Sequence, residues 1–301
     1  MAIVTKDGFE FYQNVKGEMQ SFIITGKNID SELAYIKKNR ITSISLTYFK
    51  SRSILNLNFL TEISFIERIS IQNMEIDYSG LYFAKRLRNI SLSVKNKTQH
   101  LDYSRFEHLN SLSLDWYQDF PDLINNSKLV ELIIWKFKPK SQSFSELRLP
   151  RNLKSIHITE TNIKDFNGLT LSNLEKFEGH YCSKLISLDG ISNISKKLNT
   201  LILDQCKKIN NYDDLRYAKL LHTIILGDCG EILTLKWLKE LSNVRHFSFW
   251  NTNLMDGDIS PCIGIEFVSF KNAKHYNFKN EEINIMSNAP DLLLEKQASV
   301  D

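Results

Sequence analysis

One spacing recurs through almost the whole chain and limits what it can fold into. The pattern apolar-x-x-apolar-x-apolar opens at Ile41, Ile44, Leu46 and again at Ile66, Ile69, Ile71. It returns at Leu87, Ile90, Leu92; at Leu109, Leu112, Leu114; and at Leu129, Leu132, Ile134. The second half continues it at Leu153, Ile156, Ile158; Leu174, Phe177, Gly179; and Leu198, Leu201, Leu203. Leu221, Ile224, Leu226; Val244, Phe247, Phe249; and Ile265, Val268, Phe270 complete the series, and a weaker copy at Met19, Phe22, Ile24 precedes it. Successive first positions lie 22, 25, 21, 22, 20, 24, 21, 24, 23, 23 and 21 residues apart. A random apolar-rich chain does not hold one phase through so many intervals, so the chain is an array of repeats of roughly 22 residues.

Each repeat supplies one short strand whose alternate residues point inward, and one apolar face that it cannot bury alone. Stacking the repeats makes a parallel sheet on one side and places loops and short helical turns on the other. At 301 residues the chain exceeds the size at which one globular core stops growing. A repeat array escapes that limit because each repeat packs only on its neighbours. The composition, 42% hydrophobic and 24% charged, belongs to an ordered protein.

The unit resembles the leucine-rich repeats, L-x-x-L-x-L-x-x-N/C-x-L, and in length it is most similar to the short SDS22 and internalin type. Leu153-Lys-Ser-Ile156-His-Ile158-Thr-Glu-Thr-Asn162-Ile163-Lys-Asp-Phe166-Asn-Gly-Leu169 shows the full unit. The resemblance implies an α/β solenoid: a leucine-rich-repeat horseshoe with a parallel concave β-sheet and convex loops or short helices. It covers residues 19–278 in about twelve repeats, with an N-terminal cap over 1–18 and a C-terminal cap and tail over 279–301 that includes Leu292 to Leu294. Gly8-Phe-Glu-Phe-Tyr-Gln alternates and is expected to form a capping strand or hairpin over the first repeat, where an open sheet edge would otherwise invite aggregation.

The chain departs from the family pattern in the ninth column, where the ladder asparagine is absent. That column reads Phe49, Met74, Lys95, Tyr117, Phe137, Thr161, Cys182, Cys206, Cys229, Thr252, Ala273. The early repeats therefore read as degenerate, and irregular winding is expected there. Cys182, Cys206 and Cys229 occupy one inward column, about 4.8 Å apart in a parallel stack. A metal or disulfide reading is tempting at that spacing, but small inward thiols that fill space and satisfy backbone groups are the expectation. Cys262 falls in a turn segment and reads as incidental. No CxxC pair marks a redox or zinc site.

No P-loop, GxGxxG, HExxH, GxSxG or DxDxDG motif occurs, and the repeats leave no room for an appended catalytic domain. The chain is therefore not expected to be an enzyme. His157 and Glu178 fall side by side on adjacent strands, with His180 two residues further along, which could mimic a ligand set or an acid/base pair. The sequence offers no further ligand that must converge on them, so no metal and no cofactor are expected.

The informative surface is the outward face of the sheet, read from the third, fifth, seventh and eighth residues of each repeat. Its first part (Ser21, Ile23, Thr25, Ser43, Ser45, Thr47, Tyr48) is small and polar, and the next two repeats continue so. From Ser111 onward the character changes. Asp115, Glu131, Glu160, Glu178, Asp204 and Asp228 face out, interleaved with Trp116, Trp135, Tyr181 and Trp250. Three of the four tryptophans share this face, and His157, His180 and His246 lie on it. Exposed aromatics beside charge are what protein interfaces enrich.

The expected function follows: a non-catalytic module that binds another protein on its concave face through these thirteen residues. The acidic bias argues for a basic partner. One concrete form is a bacterial immunity protein or antitoxin that neutralises a basic toxin. The runner-up is an internalin-like surface adhesin, or a host-interacting effector, lacking its signal and anchor. Net charge is +3 with no basic run of five residues, and the acidic face argues against nucleic acid. No secretory signal opens the chain and no stretch approaches 18 apolar residues, so no membrane contact and a cytoplasmic location are expected, with a monomer when free.

Overall fold

The computed structural model describes residues 2–94, 101–117 and 120–288. Lys95 of the ninth column and the tail residues Leu292 to Leu294 lie outside the described residues. The described residues form two compact units, one of those up to residue 133 together with 148–150, the other of 134–147 together with those from 151 onward.

In the N-terminal unit, β1 (Ala2–Lys6) and β2 (Phe9–Gln13) form an antiparallel hairpin. Asp7 and Gly8 take φ values of 53° and 83°, the left-handed pair that a two-residue hairpin turn requires. β2 then pairs antiparallel with β3 (Met19–Ile23), and Phe11 closes edge-on against Phe22 at 5.2 Å. α1 (Ile29–Asn39) follows, capped by the Asn28 side chain on the Ser31 amide, with Leu33 and Ile36 buried. From here every strand is parallel to its neighbour: β4 (Ser43–Thr47), β5 (Arg68–Met74), β6 (Asn89–Val94) and β7 (Ser111–Asp115). β8 (Glu131–Trp135) is divided at Ile133 between the two units.

The C-terminal unit continues in the same way with β9 (Ser155–Thr159), β10 (Lys176–His180), β11 (Thr200–Asp204), β12 (Thr223–Gly227), β13 (His246–Trp250) and β14 (Phe267–Phe270). Short 3-10 turns such as Asp213–Tyr217 and Lys236–Glu240 lie on the return path, and α2 (Asn280–Asn288) follows the last strand.

Pairing in register explains the core. Ile156, Phe177, Leu201, Ile224, Phe247 and Val268 form one continuous row of Cα partners. Each of these side chains is fully buried, and burying one contributes about 1.5–3 kcal/mol over leaving it in water. A second row of rings, Phe137, Phe144 and Phe166, runs behind the sheet with centroids 5.6 and 6.0 Å apart. This repeating strand-and-return geometry is a leucine-rich-repeat solenoid.

The early strands β4 to β7 pair one after another, with a register shift between Gln72 and Met74 as the irregularity expected there. Three readings need correction. Phe49 does not occupy the inward ninth column but is 77% exposed. Ser51 takes the place, its hydroxyl donating to Ile24 O at 2.6 Å and accepting from the Thr47 amide at 3.1 Å. A small hydroxyl satisfies two backbone groups there, which a phenyl ring cannot. Ile23, Ser45 and Thr47, expected outward, are buried, and Ser21 Oγ meets Ser45 Oγ at 2.7 Å across the strands. Cys262 is not incidental: it ends a 3-10 turn whose last residues, Pro261 and Cys262, point into the core, and its thiol is pushed up by burial.

Candidate functional site

The strand geometry of the C-terminal unit sets its outward face. In four successive repeats the eighth residue still donates its N–H forward to the next strand: Glu160 to His180 O at 3.0 Å, Tyr181 to Asp204 O at 2.9 Å, Gln205 to Gly227 O at 2.9 Å and Asp228 to Trp250 O at 3.0 Å. The chain then turns sharply. Lys136, Glu160, Tyr181, Gln205, Asp228 and Asn251 all have φ between 45° and 56°. Left-handed backbone is costly for most L-residues, yet here it recurs at one position of six successive repeats. The turn ends the strand and swings the ninth residue inward, where Cys182, Cys206, Cys229 and Thr252 are buried. Cys206 Sγ then reaches back to Gly179 O at 3.7 Å and Cys229 Sγ to Leu203 O at 3.4 Å.

The outward side chains sort by exposure. Trp135 (43%), Tyr181 (56%) and Trp250 (40%) stand in solvent. Trp250 lies over its strand partner Gly227, where a Cβ would come within 2.3 Å of the indole. Glu160 is exposed, and with Lys138, Tyr181 and Ser183 it lines a shallow recess at the strand ends. His157, Glu178, His180, Asp204, Asp228 and His246 are half-buried. His246 meets Phe267 edge-on at 4.8 Å, and that ring is 51% exposed.

Four of these groups converge. His157 and Glu178 are Cα partners, as are His180 and Asp204. Glu178 Oε2 lies 3.5 Å from His157 Nδ1 and 3.8 Å from His180 Nε2, while His180 Nδ1 lies 3.5 Å from Asp204 Oδ2. The other Glu178 oxygen is held by Lys176 Nζ. The two imidazoles are 4.8 Å apart, and Trp135 lies 6.0 Å beyond His157. Burial by itself pushes the Glu178 carboxyl up. The hydrogen bond and charge of Lys176, with His157 and His180, outweigh it and hold the group below the usual carboxylate range.

In the N-terminal unit Asp115 accepts from Ser93 Oγ at 2.9 Å, and Glu131 accepts from Ser111 Oγ at 2.6 Å. Trp116 is half-buried and stacked on Phe120 at 4.9 Å, so it is less available than Trp135 or Trp250. Sequence reasoning passed over Lys176 and Phe267. Both sit at outward positions already in phase, and the signal for Lys176 was its place two residues before Glu178 on one strand face.

No family model matches the chain, and no curated protein is similar to it. Solved structures that resemble it include an internalin C2 of Listeria monocytogenes, at 21% identity over 56% of this chain and 74% of that one, TM-score 0.45. An internalin (inlF) of the same organism aligns at 16% identity over 90% and 88%, TM-score 0.48. The leucine-rich-repeat protein of Leptospira interrogans aligns at 13% over 82% and 64%, TM-score 0.43. Among the described residues no helix is long and apolar enough to cross a membrane. What places this chain is its own geometry, in which parallel strands, left-handed exits and an inward ladder column repeat in step: its fold is that of a leucine-rich-repeat solenoid.

Proposed function

We propose that the chain is a protein-binding module rather than an enzyme, and that the solvent side of the C-terminal unit's sheet is its binding surface. The observation that carries this reading is the exposure of Trp135, Tyr181 and Trp250 at strand ends among Glu160, Asp204 and Asp228. Aromatic anchors of this kind concentrate interface energy. A repeat scaffold needs none of them for its core, since the inward rows are complete without them.

The flanking carboxylates favour a partner with a basic surface, steering its approach and fixing register. Lys176 offsets Glu178, so the acidic character rests chiefly on Glu160, Asp204 and Asp228. The concrete form we favour is an immunity protein of a bacterial cytoplasm that neutralises a basic toxin, monomeric until it binds. The fold itself does not name a partner.

The test is comparative capture from the native host with the parent chain and with Trp135→Ala and Tyr181→Ala. A basic protein retained by the parent and lost from both variants supports the reading. If both variants retain the same proteins as the parent, this face is not the binding surface. Co-expression with a toxic neighbouring reading frame tests the immunity form: the parent should relieve toxicity, and failure to do so rejects that form alone.

A further inference from the structure

The geometry points to a divalent transition-metal site on β9 and β10, with His157, Glu178 and His180 as ligands and Asp204 behind His180. The three ligand atoms lie within 4.8 Å of one another. Zinc binds His nitrogen and carboxylate oxygen at about 2.0–2.2 Å, so a tetrahedral site separates its ligand atoms by about 3.4 Å. The two separations measured to Glu178 Oε2, 3.5 and 3.8 Å, fall close to that edge length. Bringing all three ligand atoms, now within 4.8 Å of one another, to that spacing calls for rotation of the two imidazoles on their paired strands.

The surroundings fit ligation in three further respects. Lys176 occupies one Glu178 oxygen and leaves Oε2 aimed at both rings. Asp204 faces the opposite nitrogen of His180, the carboxylate–histidine arrangement that orients a metal-bound imidazole and raises its basicity. Register is fixed by the ladder, because His157 pairs with Glu178 and His180 with Asp204. Rigid strands hold a ligand set more tightly than loops do. Two nitrogens and one oxygen select a zinc-class ion over calcium or magnesium, which take oxygen donors. The side chains are 19–27% exposed, so a fourth position opens to solvent.

The arrangement without metal is a network of partial ion pairs of the kind that neighbouring His and Glu residues form. It accounts for Glu178 but not for both rings presenting a nitrogen to the same oxygen while a second carboxylate backs one of them.

The experiment uses the full chain alone, with zinc chloride as probe, so its outcome is independent of any partner. Equilibrium dialysis should find one zinc per chain, and cobalt should give the visible absorption of a tetrahedral nitrogen–oxygen site. His157→Gln and His180→Gln should each abolish stoichiometric binding. Asp204→Asn should weaken it about 10–100-fold, the usual effect of removing an outer-shell partner. His222→Gln, at a surface position outside the site, should change nothing. Circular dichroism checks that each variant folds, and zinc should raise the melting temperature of the parent but not of a folded ligand variant. Absence of stoichiometric zinc on the parent, equal binding by His180→Gln, or equal affinity for calcium would each overturn the proposal.

Discussion

The thiol of Cys229 lies 3.4 Å from the carbonyl oxygen of Leu203, one repeat back, and Thr252 Oγ1 stands in the same relation to Leu226 O at 3.5 Å. Ser51 does likewise toward Ile24. In these repeats the inward residue after the strand is thus a rung that ties its repeat to the strand before it, whichever short donor supplies it.

The rung predicts how these cysteines behave. Cys229 is pushed up by its contact with Cys206 and then by burial, and Cys206 is raised chiefly by Cys182. The Cys206 and Cys229 thiolates are therefore suppressed, and because all three side chains are buried a thiol reagent should label Cys182, Cys206 and Cys229 only after denaturation. Cys229→Thr should melt near the parent, whereas Cys229→Val should cost about 1–3 kcal/mol by leaving buried carbonyls without a donor. Rapid labelling of the native protein, or equal melting of the two variants, would contradict the rung.

Tyr181 is both exposed and left-handed, at φ 53°. Asparagine tolerates that backbone far better than a tyrosine does, so Tyr181→Asn should raise stability by up to about 1 kcal/mol while losing partner binding. Tyr181→Ala keeps the strain and should move stability by less than about 0.5 kcal/mol. Denaturant melts of both variants separate strain from recognition. A destabilised Tyr181→Asn would show that the ring does packing work.

Removing Trp135 should weaken partner binding by about thirtyfold, the scale of a 2 kcal/mol anchor, with melting nearly unchanged. Neutralising Asp204 and Asp228 should instead slow association and flatten its dependence on salt. Rate measurements at two ionic strengths distinguish the two effects; an unchanged association rate after neutralisation argues against a basic partner.

Glu178 carries a pH signature. Its carboxyl is held low in the folded chain, so its stabilising effect is present above the ordinary carboxylate range and is lost as pH falls through the folded value. Glu178→Gln should be less stable than the parent at pH 7, by no more than about 1 kcal/mol for so shallow a pair. Urea melts at pH 7 and pH 3 should show that gap closing. A constant gap would mean that the charge on Glu178, shared with Lys176, His157 and His180, is not its cause.

The hairpin supplies a further test. Phe9 and Phe11 pack on Phe22 at 5.5 and 5.2 Å, and β2 pairs with the edge of β3. We propose that residues 1–18 act as the cap of the array. Their removal should bare that edge and produce aggregation or a clear fall in melting temperature. A trimmed chain that stays monomeric with unchanged melting would remove the capping role.

Much of the fold was legible because inward positions 1, 4 and 6 carry large apolar residues whose phase survives uneven return loops. Leu153, Ile156 and Ile158 are all fully buried. The rung was harder to read in the first repeats: Ser51 replaces Phe49 only because the chain makes a tight turn from Thr47 to Ser51. α1 has its cap in Asn28 and its apolar stripe in Leu33 and Ile36, but it fills a return segment that the apolar-x-x-apolar-x-apolar phase does not mark. In the site, the outward phase located His157, Glu178 and His180. It could not show that side-chain rotamers aim both rings at one oxygen, which depends on Lys176 and Asp204 as well.

The left-handed exit has a consequence for how such a chain changes over generations. β9 to β14 begin between 21 and 24 residues apart, yet the same turn closes each repeat from β9 to β13. Insertions in a return loop are therefore absorbed behind the sheet and leave the outward columns in step. Duplication or loss of one whole repeat would slide the display by a single strand, about 4.8 Å, without disturbing its spacing. Recombination between repeats can thus reshuffle what the surface offers while the ladder underneath stays in register.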